Sequence, residues 1–268
     1  MSIEALIFDV DGTLADTEEA HRAAFNLAFE RQRLGWSWSR TEYRALLDVS
    51  GGKERIAAYI ASLPLAAGER RRLLEQVPAI HAEKTRIYGD VVADGGVPLR
   101  EGVERLMDEA LAGGCRLAIA STTTAANVDA LLGATLGPRG LDRFSVIACG
   151  DQVRAKKPAP DVYHLALANL GIGPERAVAL EDSPNGLAAA SAAGLWTLVT
   201  PTFWTEGSDW RAAGLVLPSL GGPGAALQGE PGRALKAAAW LTFAELALRA
   251  CPPRALSFVD SLYHEAAR

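Results

Sequence analysis

The chain has 268 residues, of which 49% are hydrophobic and 22% are charged, and this composition excludes fibrous and disordered classes. Its net charge is −5 with Lys and Arg spread along the chain, so no basic surface for nucleic acid or for a membrane is expected. No apolar run approaches the roughly 18 residues of a membrane span and no signal-peptide pattern is present, so we expect a cytoplasmic protein.

Short apolar runs alternate with helix-length segments along most of the chain. Runs that are apolar on both faces are typical of strands buried in a parallel sheet. Because the intervening segments have helical periodicity, we predict repeated βα units and an α/β fold with a doubly wound parallel sheet. The predicted strands are 5–8, 116–120, 144–148, 177–180 and 196–199, and the predicted helices are 101–113, 125–135, 159–170 and 184–193.

One long segment after the first strand departs from this alternation. It shows helical periods, such as apolar residues at i, i+3 and i+4 from Ala20 to Ala28, and no convincing strand. We therefore predict an inserted α-helical cap domain at 16–95. The core domain would then consist of 1–15 and 96–220.

The C-terminal part of the sequence follows neither pattern. A Gly-Gly-Pro-Gly linker at 221–224 leads into two amphipathic stretches, 234–250 and 255–266. We expect 221–268 to be a C-terminal helical extension of unknown role. Packing on the core, or against a second subunit in a homodimer, is the expected use of its apolar faces.

The first predicted strand ends in the pentapeptide Asp9-Val10-Asp11-Gly12-Thr13. In open parallel sheets, ligands bind in the crevice beyond the carboxyl ends of the strands, so two carboxylates at this point favour a functional site over a polar turn. A calcium-binding loop is excluded, because that pattern needs Gly at its sixth position and Glu at its twelfth. Counted from Asp9, these positions hold Leu14 and Ala20.

Three further polar groups follow later strands, and each has a structural explanation when taken alone. Ser121 could cap the next helix, a Lys156-Lys157 pair could be solvated, and Asp182 or Ser183 could cap the helix that begins at Pro184. Ser121 and the amide of Thr122 could instead hold a phosphoryl oxygen. Together with the pentapeptide, these groups at successive strand ends predict one shared site.

This ordered set resembles the haloacid dehalogenase superfamily, whose four motifs match the Asp9 pentapeptide, Ser121, Lys157-Pro158 and Glu181-Asp182. The resemblance implies a phosphatase in which Asp9 is the nucleophile and Asp11 is the general acid and base. It also implies that Ser121 and Lys157 hold the phosphate. The implied ligands of Mg²⁺ are Asp9, the backbone carbonyl of Asp11, and Asp182, with Glu181 as a supporting acid.

The predicted cap contains a candidate second anion site at Ser50-Gly51-Gly52-Lys53-Glu54-Arg55. Two glycines, free amides at a helix N-terminus and two cations would bind an anion there. An ordinary charged helix face is the alternative for Lys53 and Arg55. This stretch resembles the CbbY family of sugar-bisphosphate phosphatases, as do Trp36-Ser37-Trp38, Tyr43-Arg44 and Ile80-His81-Ala82-Glu83-Lys84-Thr85.

The CbbY resemblance implies a small sugar phosphate as substrate, and specifically xylulose 1,5-bisphosphate. It implies sugar or distal-phosphate contacts from Glu18, Tyr43, Lys53 and Arg55, with His21 as a residue that orients them or as a histidine on the helix surface. Two alternatives remain open. A β-phosphoglucomutase shares the Asp-x-Asp pair and the histidine, and a catalytically silent sugar-phosphate binder shares the site without the reaction.

Overall fold

The computed structural model describes residues 2–251 and confirms the predicted fold class. Within these residues, one parallel sheet has the strand order β3-β2-β1-β4-β5-β6. The predicted runs all form strands, and the additional β6 is too short to produce an apolar run in the sequence. The strands are β1 (Ala5–Phe8), β2 (Arg116–Ala120), β3 (Phe144–Ala148), β4 (Ala177–Glu181), β5 (Trp196–Val199) and β6 (Leu215–Val216).

The helices that connect these strands lie within two residues of their predicted positions, and the structure adds the helices of the cap and the C-terminal extension. They are α1 (Glu18–Arg31), α2 (Arg40–Leu46), α3 (Gly52–Ser62), α4 (Ala67–Ala93), α5 (Val103–Ala112), α6 (Ala125–Leu136), α7 (Asp161–Leu170), α8 (Pro184–Ala192), α9 (Gly229–Ala234) and α10 (Phe243–Ala250). Over residues 2–251, none of them combines the length and apolarity that crossing a bilayer requires.

Strand β1 lies in the middle of the sheet and is buried on both faces. Its side chains alternate, so Leu6 and Phe8 join one apolar cluster while Ala5 and Ile7 join another on the opposite face. β1 pairs in parallel with β2 on one side and β4 on the other. The residues that follow these three strands therefore emerge side by side at one edge of the sheet.

Helices α1 to α4 lie between β1 and α5 in the chain and form the predicted helical insertion. They enclose an aromatic core, in which the rings of Phe25 and Trp38 lie 4.9 Å apart and those of Phe29 and Trp38 lie 4.7 Å apart. Trp204, from the loop after β5, also belongs to this core. This core is separate from the two clusters on the sheet. The domain boundaries at 15/16, 95/96 and 220/221 stay a prediction.

The first part of the C-terminal extension packs against the core domain. Leu246 on α10 is fully buried, and Arg105 on α5 donates from Nη2 to the carbonyl of Leu241 at 2.8 Å. The stretch 234–250 is helical only in its second half, because the backbone around Leu241 bonds to the loop after β6 rather than to itself. The predicted stretch at 255–266 lies outside the described residues, and the homodimer stays a prediction.

Candidate active site

A cavity of about 450 Å³ lies between the carboxyl edge of the sheet and helices α1, α3 and α4. All the residues predicted for the site line this cavity except Tyr43 and Glu181, which lie directly behind residues that do. The four strand-end groups thus share one cleft with the cap residues, although the two sets are far apart in the sequence.

Asp9 follows β1 and lies at the floor of the cavity. Its carboxylate is only 7% exposed, and Oδ1 accepts a hydrogen bond from Lys157 Nζ at 2.7 Å. Burial raises the pKa of Asp9 to about 7, against the opposing effect of Lys157, and the nearby Glu181 and Asp11 add to the rise. A further cation at this position would therefore favour the ionised, nucleophilic form.

Lys157 is held between two acids from different strands. Nζ contacts Glu181 Oε1 at 2.6 Å as well as Asp9, and the hydroxyl of Tyr163 donates to the same Glu181 oxygen. Burial alone would lower the pKa of Lys157, but the charges of Asp9 and Glu181 outweigh it, and the pKa is raised. The ammonium is therefore a fixed positive charge beside the nucleophile.

Asp11 points toward the helical insertion. Its Oδ1 accepts a hydrogen bond from Thr17 Oγ1 at 2.6 Å and lies 2.8 Å from His21 Nε2. Behind it, His21 Nδ1 lies 2.6 Å from Lys84 Nζ, and the His21 ring stacks on Tyr88. Burial would raise the pKa of Asp11, but His21, Thr17 and Lys84 reverse this and hold it below its usual range.

Three buried carboxylates at this floor suit a divalent cation. Asp9, Glu181 and Asp182 can each place one oxygen within 4.8 Å of the others, while Lys157 offsets only part of their charge. Burial together with the charges of Asp9 and Glu181 raises the pKa of Asp182 well above its usual range, and the buried Glu181 Oε2 has no hydrogen-bond partner among residues 2–251. Oxygen-only ligands of this kind fit Mg²⁺.

The backbone leaves room for these acids. Gly12 has φ of +85°, and a Cβ there would lie 2.1 Å from Asp182 Oδ2. A side chain at this position would thus be strained and would displace the carboxylate. The glycine of the first motif is needed for close approach between the loops after β1 and β4.

The structural alternatives for Ser121 and Asp182 do not hold, because other residues cap the helices. Thr124 accepts from the amide of Asn127 at the start of α6, and Ser183 accepts from the amide of Gly186 at the start of α8. Ser121 is buried to 1% exposure and lines the cavity beside Thr122. Both hydroxyl-bearing residues are therefore available to a ligand.

On the cap side, the predicted substrate residues form a hydrogen-bonded chain. Arg55 Nη1 donates to the hydroxyl of Tyr43 at 2.9 Å, and that hydroxyl donates to Glu18 Oε2 at 2.7 Å. Tyr43 is fully buried behind Glu18 and does not line the cavity. It therefore supports Glu18 and does not face the cavity itself. Lys53, by contrast, is exposed at the mouth, next to Gly51 and Gly52.

Several cavity residues were not predicted. Lys84 and His81 come from α4, and Lys156 from the loop before α7 pairs with Glu54 on α3 at 2.9 Å. In the sequence, Lys156 stands out only as part of a lysine pair, and His81 and Lys84 stand out only as part of the stretch that resembles the CbbY family. Nothing in helical periodicity distinguishes a cavity-facing residue on α4 from one that faces the core.

Comparisons with known proteins identify the family of this chain. The family model of the haloacid dehalogenase-like hydrolases matches residues 3–194. The CbbY protein of Rhodobacter capsulatus is 50% identical over 220 residues, which cover 82% of this chain and 95% of that protein. Such identity over nearly the whole relative indicates the same fold and family.

Solved structures give the same result. A crystal structure of CbbY from Rhodobacter sphaeroides in complex with phosphate superposes with a TM-score of 0.75 at 47% identity, covering 81% of this chain and 94% of that one. A mutant of that protein in complex with xylulose-(1,5)bisphosphate gives 0.75 at 46% identity, covering 83% and 98%. The chain therefore belongs to the haloacid dehalogenase-like hydrolase family, in which it is a CbbY-like phosphatase.

Proposed function

We propose that this chain is a Mg²⁺-dependent sugar-bisphosphate phosphatase that acts on xylulose 1,5-bisphosphate through a phosphorylated Asp9. The main support is the placement of Asp9 against Lys157 and two further buried acids, at the floor of a cavity with a cationic opposite wall. A carboxylate can approach a phosphate dianion only where positive charge offsets both. In the described part of the chain, this floor provides such positive charge through Lys157 and through a candidate site for a divalent cation.

In the first step, a carboxylate oxygen of Asp9 forms a bond to phosphorus, and the bond between phosphorus and the sugar oxygen breaks. Asp11 gives its proton to the leaving alkoxide. Since the pKa of Asp11 is held low in the free protein, this carboxyl needs a proton source. The contact from His21 Nε2 to Asp11 Oδ1, 2.8 Å long, is the route that we assign to it.

In the second step, Asp11 takes a proton from water, whose oxygen attacks phosphorus and releases Asp9. Lys157 holds Asp9 in place throughout, and Ser121 and Thr122 bind phosphoryl oxygens from the end of β2. Mg²⁺, held by Asp9, Asp182 and the carbonyl of Asp11 with Glu181 in support, would offset negative charge on the phosphoryl group.

The substrate assignment has two supports. The CbbY mutant that binds xylulose-(1,5)bisphosphate shares 46% identity with this chain and is covered over 98% of its length. The cavity also continues beyond the catalytic floor to Gly51, Gly52 and Lys53 at the start of α3. Free amides and a cation at a helix N-terminus are suited to a second phosphate.

A β-phosphoglucomutase is the alternative within enzymes, and the contact between His21 and Asp11 is the observation that keeps it open. A mutase must protect its phosphorylated aspartate from water, whereas a phosphatase must not. Phosphate release from xylulose 1,5-bisphosphate without conversion of β-glucose 1-phosphate to glucose 6-phosphate is the result that excludes the mutase.

We expect phosphate release to depend on both the metal and the sugar. With Mg²⁺, xylulose 1,5-bisphosphate should give a kcat/KM at least about tenfold above that of fructose 1-phosphate, since an added charge-assisted contact contributes roughly 1.5–3 kcal/mol. EDTA should abolish release from both. Binding of the sugars without any metal-dependent turnover would instead identify a silent sugar-phosphate binder.

We expect Lys53→Ala to raise KM for the bisphosphate about tenfold with little change in kcat, because a contact to a remote phosphate binds substrate and transition state equally. The effect on fructose 1-phosphate should be smaller. Arg71→Ala, which removes an exposed cation on α4 away from the cavity, is the matched control. Equal losses on both sugars would contradict a distal-phosphate role for Lys53.

A further inference from the structure

His81 is a buried polar side chain of the cavity wall to which the catalytic steps assign no role. It lies on α4, is 9% exposed and lines the cavity. Among the described residues, its ring has no hydrogen-bond partner, whereas the neighbouring Lys84 is bonded to His21. A nine-tenths buried imidazole that faces a cavity without a partner is expected to bind a ligand there.

The ring is directed at the beginning of α3. A Cβ on Gly52 would lie 2.5 Å from His81 Nε2, so only glycine allows the ring to rest against this backbone. The first amides of α3 have no partner within the helix, and Gly52, beside Nε2 of the ring, is the first residue of this helix. His81, Gly51 and Gly52 thus form one wall of the cavity.

Charged side chains from several elements surround His81. Lys84 is on the same helix, His21 is on α1, and α3 contributes Lys53 together with Glu54, which pairs with Lys156 of the loop before α7. Burial, followed by the charges of Lys84, Lys53 and Lys156, lowers the pKa of His81 to about 3. The ring is therefore neutral in the free protein at physiological pH.

We propose that His81 binds the distal phosphate of the bisphosphorylated sugar and takes up a proton as it does so. The proposal rests on the function proposed above and deepens it. Burial and the nearby cations together keep the ring neutral. A phosphate dianion at the start of α3 would offset the cations, and its attraction for a charged imidazolium would raise the pKa of His81 toward its ordinary range. The proton comes from solvent, and no bond of the sugar changes.

The sign of the resulting pH dependence is fixed. Because the bound form holds one more proton on His81 than the free form, affinity for the bisphosphate rises as pH falls toward the pKa of the free ring, as long as the phosphates remain dianionic. A monophosphate that occupies only the catalytic floor should not show this coupling. Proton uptake is thus a signature that a purely structural histidine would not produce.

The test is calorimetric titration of xylulose 1,5-bisphosphate into the Asp9→Asn variant, which should bind without turnover, at neutral pH in buffers of different ionisation enthalpy. We expect the protein with His81 intact to take up more protons per bound sugar than the same protein carrying His81→Gln. Affinity should fall about tenfold to a hundredfold in the latter, as expected for loss of a charge-assisted hydrogen bond.

His164→Gln is the matched control, because His164 is exposed on α7 outside the cavity, and it should leave proton uptake unchanged. His81→Asn is a second variant. The NMR shifts of the His81 ring nitrogens, recorded in the protein that retains His81, report the protonation of the ring directly and require no substitution at position 81. Equal proton uptake with and without His81, or a ring that stays neutral in the complex, overturns the proposal. Absence of Mg²⁺-dependent turnover in the wild type would overturn the proposed function instead.

Discussion

Replacing Asp9 by asparagine is expected to lower kcat for xylulose 1,5-bisphosphate by a factor on the order of 10⁴ or more. The amide has nearly the same shape as the carboxylate but is a poor nucleophile, so no phosphorylated protein can form. The fold should survive, because an amide oxygen can still accept the hydrogen bond that Lys157 donates at 2.7 Å. Stopped assays of phosphate release, with thermal unfolding of both proteins, provide the measurement.

The covalent step can be observed separately from turnover. Acid quenching of the wild type during the reaction should trap a protein heavier by one phosphoryl group, and Asp9→Asn should show none. Asp129→Asn, an exposed carboxylate on α6, is the matched control and should keep both turnover and the trapped species. Activity of Asp9→Asn within tenfold of wild type would exclude Asp9 as the nucleophile.

Replacing Lys157 by alanine is expected to impair both activity and stability. The ammonium contacts Asp9 at 2.7 Å and Glu181 at 2.6 Å, and all three side chains are buried. Removing one partner of a buried ion pair leaves unpaired charge and costs roughly 3–5 kcal/mol. Turnover should also fall at least about a hundredfold, because the charge that offsets the phosphate is lost.

The neighbouring residue provides the control for this prediction. Lys156 carries the same charge, but its partner Glu54 is 45% exposed, so Lys156→Ala should change stability by less than about 1 kcal/mol. Chemical denaturation at fixed Mg²⁺ concentration measures both variants. If the two lysines contributed equally to the free energy of unfolding, the assigned role of Lys157 in holding the acids would be wrong.

Most of the sheet could be predicted from the sequence, because buried parallel strands leave continuous apolar runs. Strands β1, β2, β3 and β5 match the predicted runs, and β4 continues one residue further to Glu181. Strand β6 has two residues and leaves no apolar run, and helix α2 is too short to be predicted separately within the helical cap. In the C-terminal extension, amphipathic periodicity predicts a helix over 234–250, but hydrogen bonds from Leu241 to Leu220 and from Leu227 to Ala239 hold its first half in a non-helical conformation.

The residues of the catalytic floor can be predicted from the sequence. Asp9, Ser121, Lys157 and Asp182 each follow a buried strand or a recognisable motif, and parallel pairing around β1 brings strand ends together without further information. Side-chain chemistry and the continuous apolar runs that mark buried strands are both local properties of the chain. By the resemblance of its motifs, this ordered set predicts the nucleophile and the metal ligands, and those roles stay predictions.

The cap residues that line the cavity could not be predicted from the sequence, because their orientation depends on tertiary packing. Helices α1, α3 and α4 each have more than one polar face, and which face lines the cavity depends on how the aromatic core around Trp38 orients them. In that packing, Tyr43 donates a hydrogen bond to Glu18 from behind, and His81 lies against Gly52. Lys84 lies behind His21. Such contacts join residues far apart in sequence, and no local periodicity specifies them.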